Sequence, residues 1–125
     1  MSELRPKGAE LELGGVKRHL LFTLAAVDEI QAKYDRPVNE VLELMQDDAK
    51  VFDVAYDLVF ILINDEIARN RYFNNSEEEP ITEQQLKWLM NTQDMPEYVA
   101  ALLIAYGLSV PDPEDDDPKA ESRSS

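Results

Sequence analysis

A mainly α fold with one short N-terminal β-hairpin is predicted by three stretches of this sequence. The first is Val51 to Ile63, VFDVAYDLVFILI, which lies in a run from Asp47 to Asn70 free of Gly and Pro. It is too apolar for a surface and too short for a membrane span, which needs about 20 apolar residues. The second is the alternation Glu10-Leu11-Glu12-Leu13 followed by Gly14-Gly15 and a second extended run to Phe22, the signature of a two-residue hairpin. The third is a pair of helix starts near the C-terminal end, Thr82 with Gln85 and Asp94 with Pro96 and Glu97. The expected architecture is a hairpin packed on about five helices, because a lone hairpin is marginal in water and must lay its apolar face on something. Residues 1–8 are expected to be a flexible N-terminus, 9–110 a single helical domain carrying the hairpin, and 111–125 a disordered acidic tail.

The hairpin has a defined register. With Gly14-Gly15 as the loop, Leu13 faces Val16, Glu12 faces Lys17, Leu11 faces Arg18 and Glu10 faces His19. Leu11, Leu13, Val16, Leu20 and Phe22 then share one face while opposite charges meet on the other, and Arg18 alone fits badly. Thr23 caps a helix running to about Tyr34, with Leu24, Val27, Ile30 and Tyr34 on its inner stripe. Asp35-Arg36-Pro37 breaks that helix, and Val38 to Gln46 makes a short second one that buries Val41, Leu42 and Met45.

At about 100° per residue, Asp53, Asp57 and Asn64 fall on one wet edge of the central helix, and Phe60 projects nearly onto it. Arg71 to Pro80 reads as the longest internal loop. A fourth helix runs from Thr82 to about Asn91 with Leu86, Leu89 and Met90 inward and Trp88 roughly opposite Leu86. The fifth begins at Asp94 and ends at Gly107 in the left-handed position. Between them, Tyr98 to Tyr106, YVAALLIAY, carries no charge on any side, so this helix either enters the core or meets another chain.

The composition removes several chemistries. Twelve Lys and Arg stand against twenty-six Asp and Glu, a formal net charge of -14 that repels nucleic acid and anionic lipid. Without cysteine there is no disulfide, thiolate metal site or cysteine nucleophile. The one histidine, His19, sits opposite Glu10 with no second histidine to complete a zinc site, and phosphate loops and serine-hydrolase or metalloprotease motifs are missing. Asp53 and Asp57 lie one helical turn apart, but a catalytic pair needs a cleft and these are placed on a helix edge. The expectation is a protein that is not an enzyme and holds no cofactor or metal. The start of the chain lacks the apolar core of a signal peptide, so a cytoplasmic address is expected. What remains is surface: Phe60, Ile61, Trp88, Tyr98, Leu102 and Tyr106 are the candidate partner-binding residues, aromatic and apolar anchors in an acidic surround.

ELELGGVKRHLLF running into TLAAVDEIQAKYD, then VNEVLELM, a long apolar helix, ITEQQLKWLM and PEYVAALLIAYGLSVPDPEDDD, resembles the tail assembly chaperones of long-tailed, siphovirus-type bacteriophages and related prophages. The likeness covers roughly residues 9–117 and includes a glycine turn, a strand ending in Phe22 and a helix with a central Glu29-Ile30 pair. The resemblance implies an assembly factor without enzymatic activity. Such a factor acts in the cytoplasm of the bacterial host and leaves before the virion is mature. Its expected partners are the tape measure protein and the tail tube protein, which it keeps soluble; it often self-associates and often exists in a second form extended by a ribosomal frameshift. Two alternatives stand beside this one: an acidic inhibitor mimicking nucleic acid, and an oligomeric helical scaffold or adaptor without a client. The first requires carboxylates spaced like phosphates on one face, whereas here the acids are interleaved with Lys and Arg.

Overall fold

The computed structural model describes residues 8–109, so the expectations for residues 1–7 and for the tail at 111–125 lie outside the described residues. Among these, β1 (Ala9–Leu13) and β2 (Val16–Leu20) precede five α-helices. The helices are α1 (Leu24–Tyr34), α2 (Val38–Glu43), α3 (Val51–Asn74), α4 (Glu83–Leu89) and α5 (Met95–Ser109). Single turns of 3-10 helix follow α2 at Leu44–Gln46 and precede α5 at Thr92–Asp94. The mainly helical class with an N-terminal hairpin is therefore as expected.

The strands pair antiparallel in the anticipated register, Leu13 with Val16 through Ala9 with Leu20. Gly14 and Gly15 both have positive φ, 59° and 80°, as a tight two-residue hairpin demands. Gly14 has a second reason to be glycine: a Cβ there would come within 2.6 Å of Leu89 Cδ2, so the turn is pressed against α4. Leu11, Leu13, Leu20 and Phe22 are buried on one face. Val16, beside the turn and expected on the same face, is instead exposed.

The 24-residue α3 is the axis of the fold, about 36 Å long at 1.5 Å per residue. Val54, Leu58, Val59, Leu62, Ile63 and Ile67 are buried along it, with β2, α1, α5 and the first 3-10 turn packed around it. The helix runs past the expected boundary to Asn74, since Arg71 to Asn74 contain no helix breaker. Asn75 then takes the left-handed position, φ 58°, and returns its N–H to Asn70 O.

Helix α1 keeps its expected stripe at Val27, Ile30 and Tyr34, and departs from it at its start, where Ala26 and not Leu24 is inward. Thr23 Oγ1 accepts from Ala26 N at 3.1 Å and donates to Asp65 Oδ2 at 2.9 Å, and the Tyr34 hydroxyl donates to Asp57. These contacts at both ends fix the helix on α3 with Ala26 and Ile30 inward, and Leu24 is left exposed. Capping at α4 follows the sequence: Thr82 and Gln85 form the reciprocal capping box. The helix stops at Leu89, two residues short of the expected end. Helix α5 instead runs longer, through Gly107 to Ser109, and Gly107 is not among the residues of positive φ. Asp94 ends the 3-10 turn, where its carboxylate accepts from Asn91 Nδ2 at 3.3 Å.

The uniformly apolar α5 has a buried and an open side. Met95, Tyr98, Ala101, Leu102 and Ala105 enter the core against α3 and β1, whereas Leu103 and Ile104 are 50% and 55% exposed. Truncation should separate the two sides. Leu102→Ala is expected to cost about 2–5 kcal/mol of unfolding free energy, the range for a cavity at a filled core site. Leu103→Ala should stay within about 0.5 kcal/mol. Urea unfolding followed by circular dichroism measures both, and comparable losses would contradict this packing.

Candidate functional site

Two surface depressions stand out, one on either side of α4, and tethers from distant elements shape both. Asn64 of α3 grips the segment leading into α4: its Nδ2 donates to Ile81 O at 3.1 Å and its Oδ1 accepts from Ile81 N at 2.8 Å. Asn64 was expected on the wet edge, and that polar placement on α3 is what makes this two-point hold available. The Tyr56 hydroxyl donates to Glu83 O at 3.1 Å at the beginning of α4, and Leu86 is fully buried beneath it. A seven-residue helix has little stability of its own, so these contacts determine where it lies.

On one side lies an apolar cleft of about 450 Å³. Ile67, Ile81 and Leu89 line it, Trp88 stands at its lip, and Arg18, Glu78 and Glu79 form its polar margin. Trp88 is 74% exposed, an indole left in water as its position opposite Leu86 implies. Arg18, the residue that fitted badly in the hairpin, forms a two-point ion pair with Glu78. Arg71 Nη1 donates to Glu78 O at 2.7 Å, which fixes the same loop from α3. The hydrogen bond and charge of Arg18 hold the Glu78 carboxyl below its ordinary value, with burial opposing them.

On the other side is an open groove of about 650 Å³ between the end of α1, the start of α3 and α4. Tyr34 and Tyr56 lie in it with Asp53, Asp57 and Glu83. Asp53 and Asp57 lie on the α3 edge as expected, and that edge faces into the groove, with residues of α1 and α4 on either side. The Tyr34 phenol is pushed well above its ordinary value, first by burial and then by its hydrogen bond to Asp57 and the Asp57 and Asp53 charges. Burial, followed by the charges of Glu83 and Asp57, also raises Tyr56. A phenol so held stays neutral and acts as a donor to carboxylate.

The six candidate partner-binding residues are not brought together. Trp88 is free at the cleft. Phe60 is half-buried and stacked on Tyr56 with ring centroids 6.1 Å apart, and Tyr106 is half-buried edge-on to Phe22 at 5.5 Å. Ile61, Tyr98 and Leu102 are corrected as surface residues: at 4%, 2% and 0% exposure they are core, and the Tyr98 hydroxyl accepts from Asn91 N at 2.8 Å. The exposed apolar side chains that sequence reasoning missed are Leu103 and Ile104 on α5, Tyr72 and Phe73 at the end of α3, and Phe52 at its start. A helix apolar on every side gives no phase from which to choose Leu103 over Leu102. Tyr72 and Phe73 were hidden by placing them in a loop.

His19 contacts Glu10 and the buried Glu66, at 3.3 Å and 3.4 Å. Among the described residues no cluster of His, Cys, Asp and Glu is arranged to hold a metal ion, and no helix is long and apolar enough to cross a membrane. The chain matches no protein-family model, no curated protein sequence and no solved structure.

Two measurements test how the cleft is held. Asn64→Ala removes both bonds to Ile81 and is expected to cost about 1–2 kcal/mol, with faster hydrogen exchange at the Ile81 and Gln85 amides; unchanged exchange would mean that Asn64 does not position α4. The second is the pH response of Glu78. Its folded-state value lies below the unfolded one, so its contribution is present above the ordinary carboxylate range and is lost as pH falls through the depressed value. The urea midpoint of the native chain should therefore exceed that of Glu78→Gln near neutrality, and the two should converge in acid. The difference should be small, since the carboxylate is 42% exposed and the pair is screened.

Proposed function

We propose that this protein is an assembly chaperone of the phage-tail type, which acts by binding other proteins and not by catalysis. The observation that carries the reading is the cleft at Trp88: an exposed indole over an apolar floor, with the Arg18–Glu78 pair and Glu79 at its margin, in a chain of net charge -14. An aromatic anchor beside an apolar depression is the usual centre of a protein interface. The net charge of -14 favours clients whose apolar stripe is flanked by Lys or Arg, and it keeps the free chaperone soluble. A tape measure protein, a long helix with apolar stripes, has this chemistry, and the tail tube protein is the second proposed client. The host cytoplasm is the proposed site of action.

The contact surface proposed here is Trp88 with Leu103 and Ile104, in place of the buried Tyr98 and Leu102. Trp88 is the sole tryptophan, so its fluorescence reports the cleft directly. Added tape measure protein should shift the emission to the blue, as the indole leaves water. Trp88→Ser should abolish co-purification with that client while leaving the helical circular dichroism unchanged. Retained co-purification in both Trp88→Ser and the double variant Leu103→Ser/Ile104→Ser would rule out these surfaces. Steep loss of binding with salt and indifference to both variants would favour the acidic mimic of nucleic acid.

A further inference from the structure

The groove on the other side of α4 has a charge pattern that client binding does not require. Residues 8–109 contain eight Lys and Arg against nineteen Asp and Glu. Arg18, Arg69 and Arg71 are in ion pairs with Glu78, Asp65 and Glu79. Of the five bases left, four line this one groove: Lys33, Arg36, Lys50 and Lys87. None of the four is in an ion pair among the described residues, although Asp53, Asp57 and Glu83 share the groove. Lys87 instead places its ammonium 5.7 Å from the centre of the Tyr56 ring, and Asp57 accepts the Tyr34 hydroxyl. In so acidic a chain, four unpaired bases around one depression mark the place where an added anionic segment gains most.

We infer that this groove is a binding site for an acidic peptide segment, and that its occupant is the run Glu114–Asp117 of the same chain. Two observations select that occupant. The first is charge: Glu114-Asp115-Asp116-Asp117 is four consecutive carboxylates, which elsewhere would meet an acidic surface. The second is reach. Tyr106 rests on Phe22, so α5 ends beside the start of α1, and the groove is at the other end of that helix, about 16 Å away along its axis. Glu114 and Asp117 are five and eight positions beyond Ser109, extended spans of up to about 16 Å and about 26 Å. Attachment to α5 also raises the local concentration of the run far above that of any free competitor. The contact is therefore a built-in competitor: other acidic segments gain the groove only by displacing this one.

The chain has no cysteine, so Ala120→Cys carries a single nitroxide label close to the acidic run. In the full-length 15N-labelled protein the label should selectively broaden the amides of Lys33 to Arg36, Lys50 to Tyr56 and Lys87. The broadening should disappear in 1 M NaCl, where the screening length falls to about 3 Å. It should also be lost in Asp115→Asn/Asp116→Asn/Asp117→Asn, and in Lys33→Ala/Arg36→Ala, whose side chains are exposed and whose spectrum shows whether the fold is kept. Even broadening over the whole surface, or broadening that survives the asparagine variant, would overturn the inference. A mixture of spin-labelled 14N chain with unlabelled 15N chain supplies the remaining arm: broadening there assigns the occupant to a second copy and overturns the same-chain contact. The Trp88 experiments read the opposite side of α4, so either result can fail without the other.

Discussion

Glu66 is the constraint on which the arrangement of hairpin and helices depends. It is the one buried charged residue among the described residues, on the face of α3 that meets β2. A charge in that position is tolerable only with its lone pairs engaged. Its Oε1 accepts from His19 N at 3.2 Å and its Oε2 lies 3.4 Å from His19 Nδ1. A two-stranded sheet has no inner strand, so a β2 N–H turned away from β1 needs an acceptor from elsewhere. Glu66 supplies it, and the same contact sets how the hairpin lies along α3. With the hairpin so placed, its apolar face closes over α5, and the Gly14 turn comes to rest on Leu89.

Legibility in the sequence followed the range of the interaction. The hairpin register was readable because period-two alternation and a Gly-Gly turn are local and leave one solution. The capping box at Thr82 was readable for the same reason. Phase was harder. In α1 the stripe holds at Val27, Ile30 and Tyr34 and fails only at Leu24, next to Thr23, whose partner Asp65 is far away in sequence. In α5 the sequence offers no polar residue to mark the wet side, so Tyr98 and Leu102 were assigned to the surface that Leu103 and Ile104 occupy. Arg18 looked misplaced because its partner, Glu78, is sixty residues away.

The candidate surfaces show the same division. Trp88 followed from helical geometry alone, being opposite the buried Leu86. The floor of its cleft did not, since Ile67, Ile81 and Leu89 come from α3, a loop and α4. The gathering of four bases in the groove had no sequence signal. Lys33, Arg36, Lys50 and Lys87 are dispersed over more than fifty residues and gather only when α1, α3 and α4 converge. Nearby carboxylates disguise each of them along the chain, Glu29 before Lys33 and Asp47-Asp48 before Lys50, so that linear charge patterning reads them as neutralised.

Helix α4 joins the two surfaces physically. One side of it presents Trp88 and Leu89 to the apolar cleft, and the other presents Glu83 and Lys87 to the groove. Seven residues cannot hold a helix in place by themselves, so its position is the sum of the Asn64 grip, the Tyr56 hydroxyl on Glu83 O, the capping box and the burial of Leu86. Tyr56 belongs to both the tether and the groove wall, and Lys87 lies over its ring. An anion that draws Lys87 away from Tyr56 therefore acts on a residue that also holds the start of α4, one and a half turns from Trp88. The cleft and the groove thus share one short helix, and the few contacts that position it shape both.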